Sequence, residues 1–461
     1  MSIEKVDRVY LIGIGGIGMS ALARFFVSEG KSVAGYDRTS TELTTTLVSE
    51  GIDIHFSDDV NLIPEQFRKE DGTLVIYTPA IPSQHLELNW FNRLGYTVLK
   101  RSEVLGELSK GKRTLAVSGT HGKTTITTLV SHLLTAGGLG CGAFLGGISK
   151  NYGTNILVGK GSQNLVVEAD EYDRSFLRLF PDLAVITSID ADHLDIYGTY
   201  EAIALAFSQF IGQVKSGGSV VIKKGVRVAI NRKDIKVFRY SLNERCDFYA
   251  QSIRIENGIS NFDLVTPMGI IHDIQLHLPG HVNMENAIAA SALALLAGLP
   301  ADKLRIGVAS FLGVRRRFDI RFKHGKVVLV DDYAHHPVEL CAAIMAMREA
   351  FPMRQITGVF QPHLFSRTRD LAVDFAASLS LLDEVYLLDI YPAREEPIPG
   401  VTSKVLFDMI SIDQKHLISK NDLVAKLSER TDLEVLIMMG AGDIDKLVGP
   451  VQQMLEKRYS K

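Results

Sequence analysis

Residues 115–127 read LAVSGTHGKTTIT: an apolar strand, a glycine-rich turn and the start of a helix. A turn of this kind aims its backbone N–H groups and the positive end of the helix dipole at one anion. Gly119, Thr120, His121, Gly122, Lys123, Thr124 and Thr125 are therefore the expected triphosphate cradle. The Lys123 ammonium would lie over the outer phosphates and the Thr124 hydroxyl on a magnesium ion. The generic phosphate-loop pattern opens with a glycine where this chain has Val117, so the loop is a variant. Glycine and threonine also gather at ordinary helix caps. The strand before the turn and the helix behind it favour the nucleotide reading, and ATP is the expected ligand.

On either side of this segment, apolar strands alternate with helical stretches. Arg8–Ile12, Ser32–Tyr36, Thr73–Tyr77 and Thr97–Leu99 precede it, a doubly wound α/β signature. A polar stretch, Ser109–Arg113, reads as the first linker. Strands at Thr114–Val117, Leu165–Val167 and Ala184–Ser188 suggest a second parallel sheet. The β-rich pieces Ser219–Ile222, Val237–Tyr240 and Ile270–Leu278 suggest an antiparallel excursion before a helix near Asn283. A third alternating block follows Gly313, with strands at Val327–Val330, Ile356–Phe360, Val385–Leu388 and Val435–Met439. A chain of 461 residues exceeds what one hydrophobic core supports. Three α/β domains are expected, over 1–108, 109–312 and 313–461.

Composition narrows the function. A hydrophobic fraction of 46% and a charged fraction of 22% are ordinary for a globular chain. The net charge of -3 gives no concentrated basic surface, so nucleic acid is not an expected partner. The amino terminus lacks a secretory pattern, and Ala287–Leu299, the most apolar helical stretch, is too short to span a bilayer. The cysteines Cys141, Cys246 and Cys341 are odd in number and lack metal-type spacing, which fits a reducing cytoplasm.

Two acidic segments follow strands of the central block. In EADEYDRSF (168–176), Glu168 is the expected hard-oxygen ligand for magnesium, with Asp170, Glu171 and Asp173 as rivals. In DADHLDIYG (190–198), His193 lies among Asp190, Asp192 and Asp195 at a strand's carboxyl end, where sites of open α/β sheets collect. A second glycine loop, GIGGIGMSALA (13–23), follows the first strand, with Asp37 at the end of the next. Alone it is a dinucleotide fingerprint and invites a nicotinamide-dependent oxidoreductase. Physically it ensures only a close backbone approach to a diphosphate, which a nucleotide-sugar satisfies equally well.

These segments, with PGHVNMENAIAA (279–290), GVRRRFD (313–319), DDYAHHPVE (331–339) and FQPHLFSRTRD (360–370), together resemble the Mur ligases of peptidoglycan synthesis. The match runs in order along nearly the whole chain. It is strongest to the branch that joins L-alanine to UDP-N-acetylmuramate. The resemblance implies a Rossmann-like amino-terminal domain for the UDP-sugar, a central P-loop ATPase domain with a mixed sheet, and a Rossmann-like carboxyl-terminal domain that brings the amino acid. It assigns Gly15, Gly16, Gly18, Met19, Ser20 and Asp37 to the UDP diphosphate, with His55 and Arg101 as weaker candidates.

By the same likeness Lys123 and Thr124 contact phosphate and metal, and Glu168 and His193 are further magnesium ligands. His281 and Asn286 become adenine neighbours, Arg317 reaches the γ-phosphate, and Asp332 touches the ribose. His335 and His336 line the cleft. Arg367 and Arg369 are the arginine forks best suited to holding carboxylates. Several later-acting family members carry a carbamylated lysine where this chain has Phe207, and the alanine-adding branch lacks it. The nearest rival is the recycling ligase that attaches a whole murein tripeptide to the same UDP-sugar.

Overall fold

The computed structural model describes residues 6–190, 194–256, 258–393 and 395–459. Contacts divide the chain into two compact units. One comprises Met1–Gln251, Asp263–Ile274 and Asn286–Phe311; the other comprises Ser252–Phe262, Gln275–Glu285 and Leu312–Lys461. Three sheets run through them.

The first sheet is formed by β1 (Arg8–Ile12), β2 (Ser32–Tyr36), β3 (Asp53–His55), β4 (Thr73–Tyr77) and β5 (Thr97–Lys100), in the order β3-β2-β1-β4-β5. Every pairing is parallel. Parallel sheets are covered on both faces, which is why β1 and β4 read as unbroken apolar runs. The strand order reverses between β1 and β4, so a crevice opens at their carboxyl ends. The glycine loop leaves β1 there and enters helix α1 (Ile17–Ser28).

The second sheet carries β6 (Arg113–Ser118), β7 (Gly142–Phe144), β8 (Ile156–Leu157), β9 (Asn164–Ala169), β10 (Leu183–Ile186), β11 (Ser219–Lys223), β12 (Lys236–Ser241), β13 (Phe248–Glu256), β14 (Ile259–Thr266) and β15 (Gly269–Leu276). Their order is β15-β14-β13-β12-β11-β10-β6-β9-β7-β8. Strand β6 lies between β9 and β10, parallel to both, and delivers the phosphate loop to helix α2 (Lys123–Ala136). The expected antiparallel excursion is shorter than the sequence suggested. Strands β11 and β12 extend the parallel sheet, and parallel pairing continues into β13. The two-residue connection from β14 to β15 allows only a hairpin. The first linker is shorter too: the helix over Arg101–Lys110 runs to within two residues of β6.

The third sheet, in the second unit, consists of β16 (Asp319–His324), β17 (Val327–Asp332), β18 (Ile356–Phe360), β19 (Glu384–Leu387), β20 (Lys415–Leu417) and β21 (Val435–Met439). Its order is β16-β17-β21-β18-β19-β20, parallel except for the β16–β17 hairpin. Separate hydrophobic clusters cover its two faces. In the first unit one continuous cluster packs against both sheets.

Candidate active site

The phosphate loop is shaped by two left-handed glycines, Gly119 (φ 129°) and Gly122 (φ 80°), the latter capping α2. A side chain at either would collide as well as strain. A Cβ on Gly119 would lie 2.1 Å from Thr187 Oγ1, and one on Gly122 would lie 2.6 Å from Asn286 Oδ1. The residues after β10 brace the loop from behind. Thr120 N–H donates to Ser188 O (3.1 Å), His121 N–H to Ser188 Oγ (3.1 Å), and Thr187 Oγ1 to His121 O (2.6 Å). Asp190 donates its N–H to Thr120 Oγ1 (2.9 Å), and its carboxylate faces His121 Nε2 at 3.2 Å. Thr187 and Ser188 are functional supports that sequence reasoning missed; the polar run closing β10 was their only signal.

The acids of β9 converge on the same point. Thr124 Oγ1 donates to Glu168 Oε1 (3.2 Å), and Glu168 Oε2 fills the space a Cβ on Gly146 would take. Thr124 and Glu168 thus gather the oxygen donors that a hard divalent cation prefers. Lys123 Nζ donates to both oxygens of Glu171, at 2.9 and 2.8 Å, with Asp170 at 4.0 Å. Burial alone would lower the Lys123 pKa, but Glu171, Asp170 and Glu168 outweigh it and hold the ammonium charged. Burial raises the Glu171 carboxyl, against the pull of Lys123. Asp173 takes a left-handed turn (φ 50°) further along the segment. His193, expected as a metal ligand, lies outside the described residues, as does Asp192. Phe207 is fully buried, edge-on to Phe176 at 5.2 Å.

At the first glycine loop, Gly15 N–H donates to Asp37 Oδ2 (2.8 Å), and Asp37 Oδ1 accepts from Thr39 N–H (3.1 Å). Gly16 caps α1 with an extended backbone. A Cβ on Gly18 would lie 2.2 Å from Arg101 Nη1, so the missing side chain admits a guanidinium to the loop. His55, on β3, has Tyr10 Oη at 2.8 Å and Ser57 O at 2.9 Å. Met19 and Ser20, assigned to the diphosphate by the resemblance, lie in the first turn of α1 with their side chains buried. They are 2% and 0% exposed, and the Ser20 hydroxyl donates to Ile17 O (3.0 Å).

In the second unit, the turn carrying Arg317 is held in left-handed backbone at Arg316 (φ 61°) and Phe318 (φ 46°). Asp332 fastens it: Oδ2 accepts from Phe318 N–H (2.7 Å) and Oδ1 from Ala334 N–H (2.8 Å). Asp332, expected at the ribose, thus also shapes the Arg317 turn. Arg317 lies over the Tyr333 ring at 5.0 Å.

His335 Nδ1 donates to Tyr333 O (3.0 Å). Burial first, then Arg367 and Arg317, lower its pKa against the pull of Glu339, so the ring is neutral at pH 7. His336 caps helix α3 (Pro337–Ala350), accepting from Val338 N–H (3.4 Å). His363, absent from the sequence expectations, stands edge-on to His335 (5.9 Å) and stacks on Tyr391 (5.7 Å).

The two arginines expected to hold carboxylates separate. Arg367 is half-buried, and its charge acts on His335. Arg369 is exposed and ion-paired with Asp370 at 2.7 Å. The two expected adenine neighbours also differ. Asn286 packs behind Gly122, whereas His281 Nδ1 is bound to Glu349 Oε1 at 2.6 Å.

Three α/β sheets, a phosphate loop on the second and a strained arginine turn at the head of the third define a multidomain phosphate-loop enzyme. The chain belongs to the Mur ligase family. Residues 8–113 match the Mur ligase family catalytic domain, 117–294 the Mur ligase middle domain, and 316–442 the Mur ligase glutamate ligase domain. It is 51% identical to the UDP-N-acetylmuramate–L-alanine ligase of Parabacteroides distasonis, across 100% of both chains. It is also 51% identical to that of Porphyromonas gingivalis, over 98% of this chain and 99% of the other. The crystal structure of the Thermotoga maritima UDP-N-acetylmuramate-alanine ligase superposes with a TM-score of 0.81 at 26% identity, covering 98% of this chain and 99% of that one. A murein peptide ligase from Psychrobacter arcticus shares the fold, with a TM-score of 0.69 at 20% identity over 97% and 98% of the chains. No helix among the described residues is long and apolar enough to cross a membrane.

Proposed function

We propose that the chain is an ATP-dependent ligase of the cytoplasm that joins L-alanine to the lactyl carboxylate of UDP-N-acetylmuramate, a step of peptidoglycan precursor synthesis. The reading rests on full-length likeness to relatives of that name, which spans all three domains. Residues 1–108 would bind the UDP-sugar, 109–312 ATP, and 313–461 the amino acid.

Forming an amide from a carboxylate and an amine at neutral pH requires a leaving group better than oxide. The lactyl carboxylate oxygen attacks the γ-phosphorus of ATP, and the bond from that phosphorus to the β-bridging oxygen breaks. The products are an acyl phosphate and ADP. The L-alanine amine then adds to the acyl carbon, and the tetrahedral intermediate expels phosphate as the amine loses its proton. Phosphoryl transfer of this kind depends on positioning and on cations around the transferring group.

Lys123 and Arg317 supply fixed positive charge in this scheme. Thr124 and Glu168 would hold magnesium, their hard-oxygen donor pair being the support for it, with His193 as a further ligand. When bound, the cation neutralises charge on the phosphate oxygens. Gly15, Gly16, Gly18 and Arg101 receive the UDP diphosphate, and Arg367 offers a planar fork to a substrate carboxylate. Asn286 borders the adenine site.

The test is phosphate release from ATP with magnesium and UDP-N-acetylmuramate, against a panel of amino acids and the murein tripeptide. Turnover specific to L-alanine is expected. Equal ADP formation without the UDP-sugar, turnover only with tripeptide, or a requirement for nicotinamide would overturn the reading.

A further inference from the structure

The two substrate loops leave different sheets, β1 for the UDP-sugar and β6 for the nucleotide. A carboxylate oxygen must nevertheless meet a phosphorus within about 3.5 Å, and a 1 Å misplacement can cost about a hundredfold in rate. Something must hold one loop to the other. Asn155, the residue before β8, is fully buried in the first unit, and all its side-chain hydrogen bonds go to α1. Its Nδ2 donates to Ile17 O (2.6 Å) and Ser20 Oγ (2.9 Å), both in the first turn after the glycine loop. Its Oδ1 accepts from Arg24 Nη1 (2.6 Å), while the rest of that guanidinium forks onto Glu50 at 2.7 and 2.8 Å.

The amide orientation is dictated by its partners. A carbonyl can only accept and a guanidinium can only donate, so Nδ2 must face Ile17 and Oδ1 must face Arg24. Neither aspartate nor leucine can meet both demands. On its other side, Asn155 O accepts from Leu145 N–H (2.9 Å). The next residue, Gly146, is where the Glu168 carboxylate lodges. A short chain of contacts therefore leads from the acid beside Thr124 to the first turn of the sugar-loop helix.

We infer that Asn155 is a positioning residue: it locks the glycine loop of the first sheet to the metal-side acid of the second, setting where the UDP-sugar is presented. The inference rests on the proposed function for its substrate.

The Asn155→Asp variant keeps shape and the Arg24 contact but loses both donors to α1. The expected result is a KM for UDP-N-acetylmuramate raised about tenfold with a lower kcat, because a buried acceptor left unpaired is costly. The KM for ATP should stay within about twofold, a split that general loosening of the fold would not produce. Ser20→Ala removes one of the two acceptors and should raise the same KM about threefold. Combining the two should raise it no further than Asn155→Asp alone. If Asn155→Asp does not fold, Ser20→Ala decides. An unchanged KM for the UDP-sugar, or a parallel rise for ATP, overturns the inference. Calorimetric binding of UDP alone to both variants separates the two claims. Weakened UDP binding upholds the positioning role even if the wild-type enzyme fails to ligate alanine, and unweakened binding overturns that role.

Discussion

Replacing Lys123 by alanine should unsettle the fold as well as the chemistry, and the two effects can be separated. The Lys123 side chain is 13% exposed and that of Glu171 3%. Removing one member of such a pair costs roughly 3–5 kcal/mol, because the survivor is a buried charge without compensation. Glu171 has a partial escape, since burial already raises its pKa and, without Lys123, it can take up a proton. The native variant then holds a proton that the unfolded chain has released, so its stability falls as pH rises from the unfolded carboxylate value through the raised native one. The loss should approach about 3 kcal/mol near pH 8 and shrink near pH 5.5.

Adding Glu171→Gln removes the stranded charge, and the double variant should regain most of the lost melting temperature. Turnover should stay down by about a hundredfold to a thousandfold in both variants, the usual loss when a fixed charge on the transition state is removed. Calorimetric melting at both pH values, beside an ADP-release assay, reads both effects. Lys123→Ala melting with the wild type near pH 8, or a double variant that turns over normally, would refute the reasoning.

Three further outcomes follow from the site. Arg367→Ala should raise the KM for L-alanine or the UDP-sugar about tenfold or more, whereas Arg369→Ala, exposed and paired with Asp370, should leave both within about twofold; equal effects would contradict the separation seen here. Glu168→Gln should raise the half-saturating magnesium concentration about tenfold to a hundredfold, measured by titrating the cation at fixed ATP; an unshifted curve would remove Glu168 from the metal site. Gly18→Ala places a methyl 2.2 Å from the flexible end of Arg101, so the fold should survive while the KM for the UDP-sugar rises several-fold and that for ATP does not; a parallel loss in both would point to misfolding.

The features legible in the sequence were those with local causes. A phosphate loop is contiguous, and its strand and helix flank it in the chain, so residues 119–125 could be read directly. The apolar central strands β1, β4, β18 and β21 had the boundaries expected, because burial on both faces leaves at most one polar residue in each to blur them. Strands β3, β7, β8 and β20 are two or three residues long and only partly buried, too short to establish a period. The parallel pairing of β11 with β12 was hidden for another reason: pairing direction depends on the path of the connection, which strand composition does not encode.

Within the site, the acids of β9 were recognisable as a cluster, but the division between Glu168 at Thr124 and Glu171 at Lys123 is set by tertiary geometry. At Met19 and Ser20 the motif fixes the backbone path and leaves side-chain direction to packing, which buries both. Arg367 and Arg369 are neighbours in a motif, yet helical spacing gave one a place beside His335 and the other to solvent.

The ring of Phe207 has a consequence for how the enzyme relates to its surroundings. The resemblance places a carbamylated lysine at this position in several later-acting family members, and such a side chain exists only while its amine is joined to carbon dioxide. Here the position is sealed by aromatic packing against Phe176 and offers no amine to be captured. Residue 207 therefore cannot carry a carbamate, and no carbon dioxide adduct at this position forms part of the site.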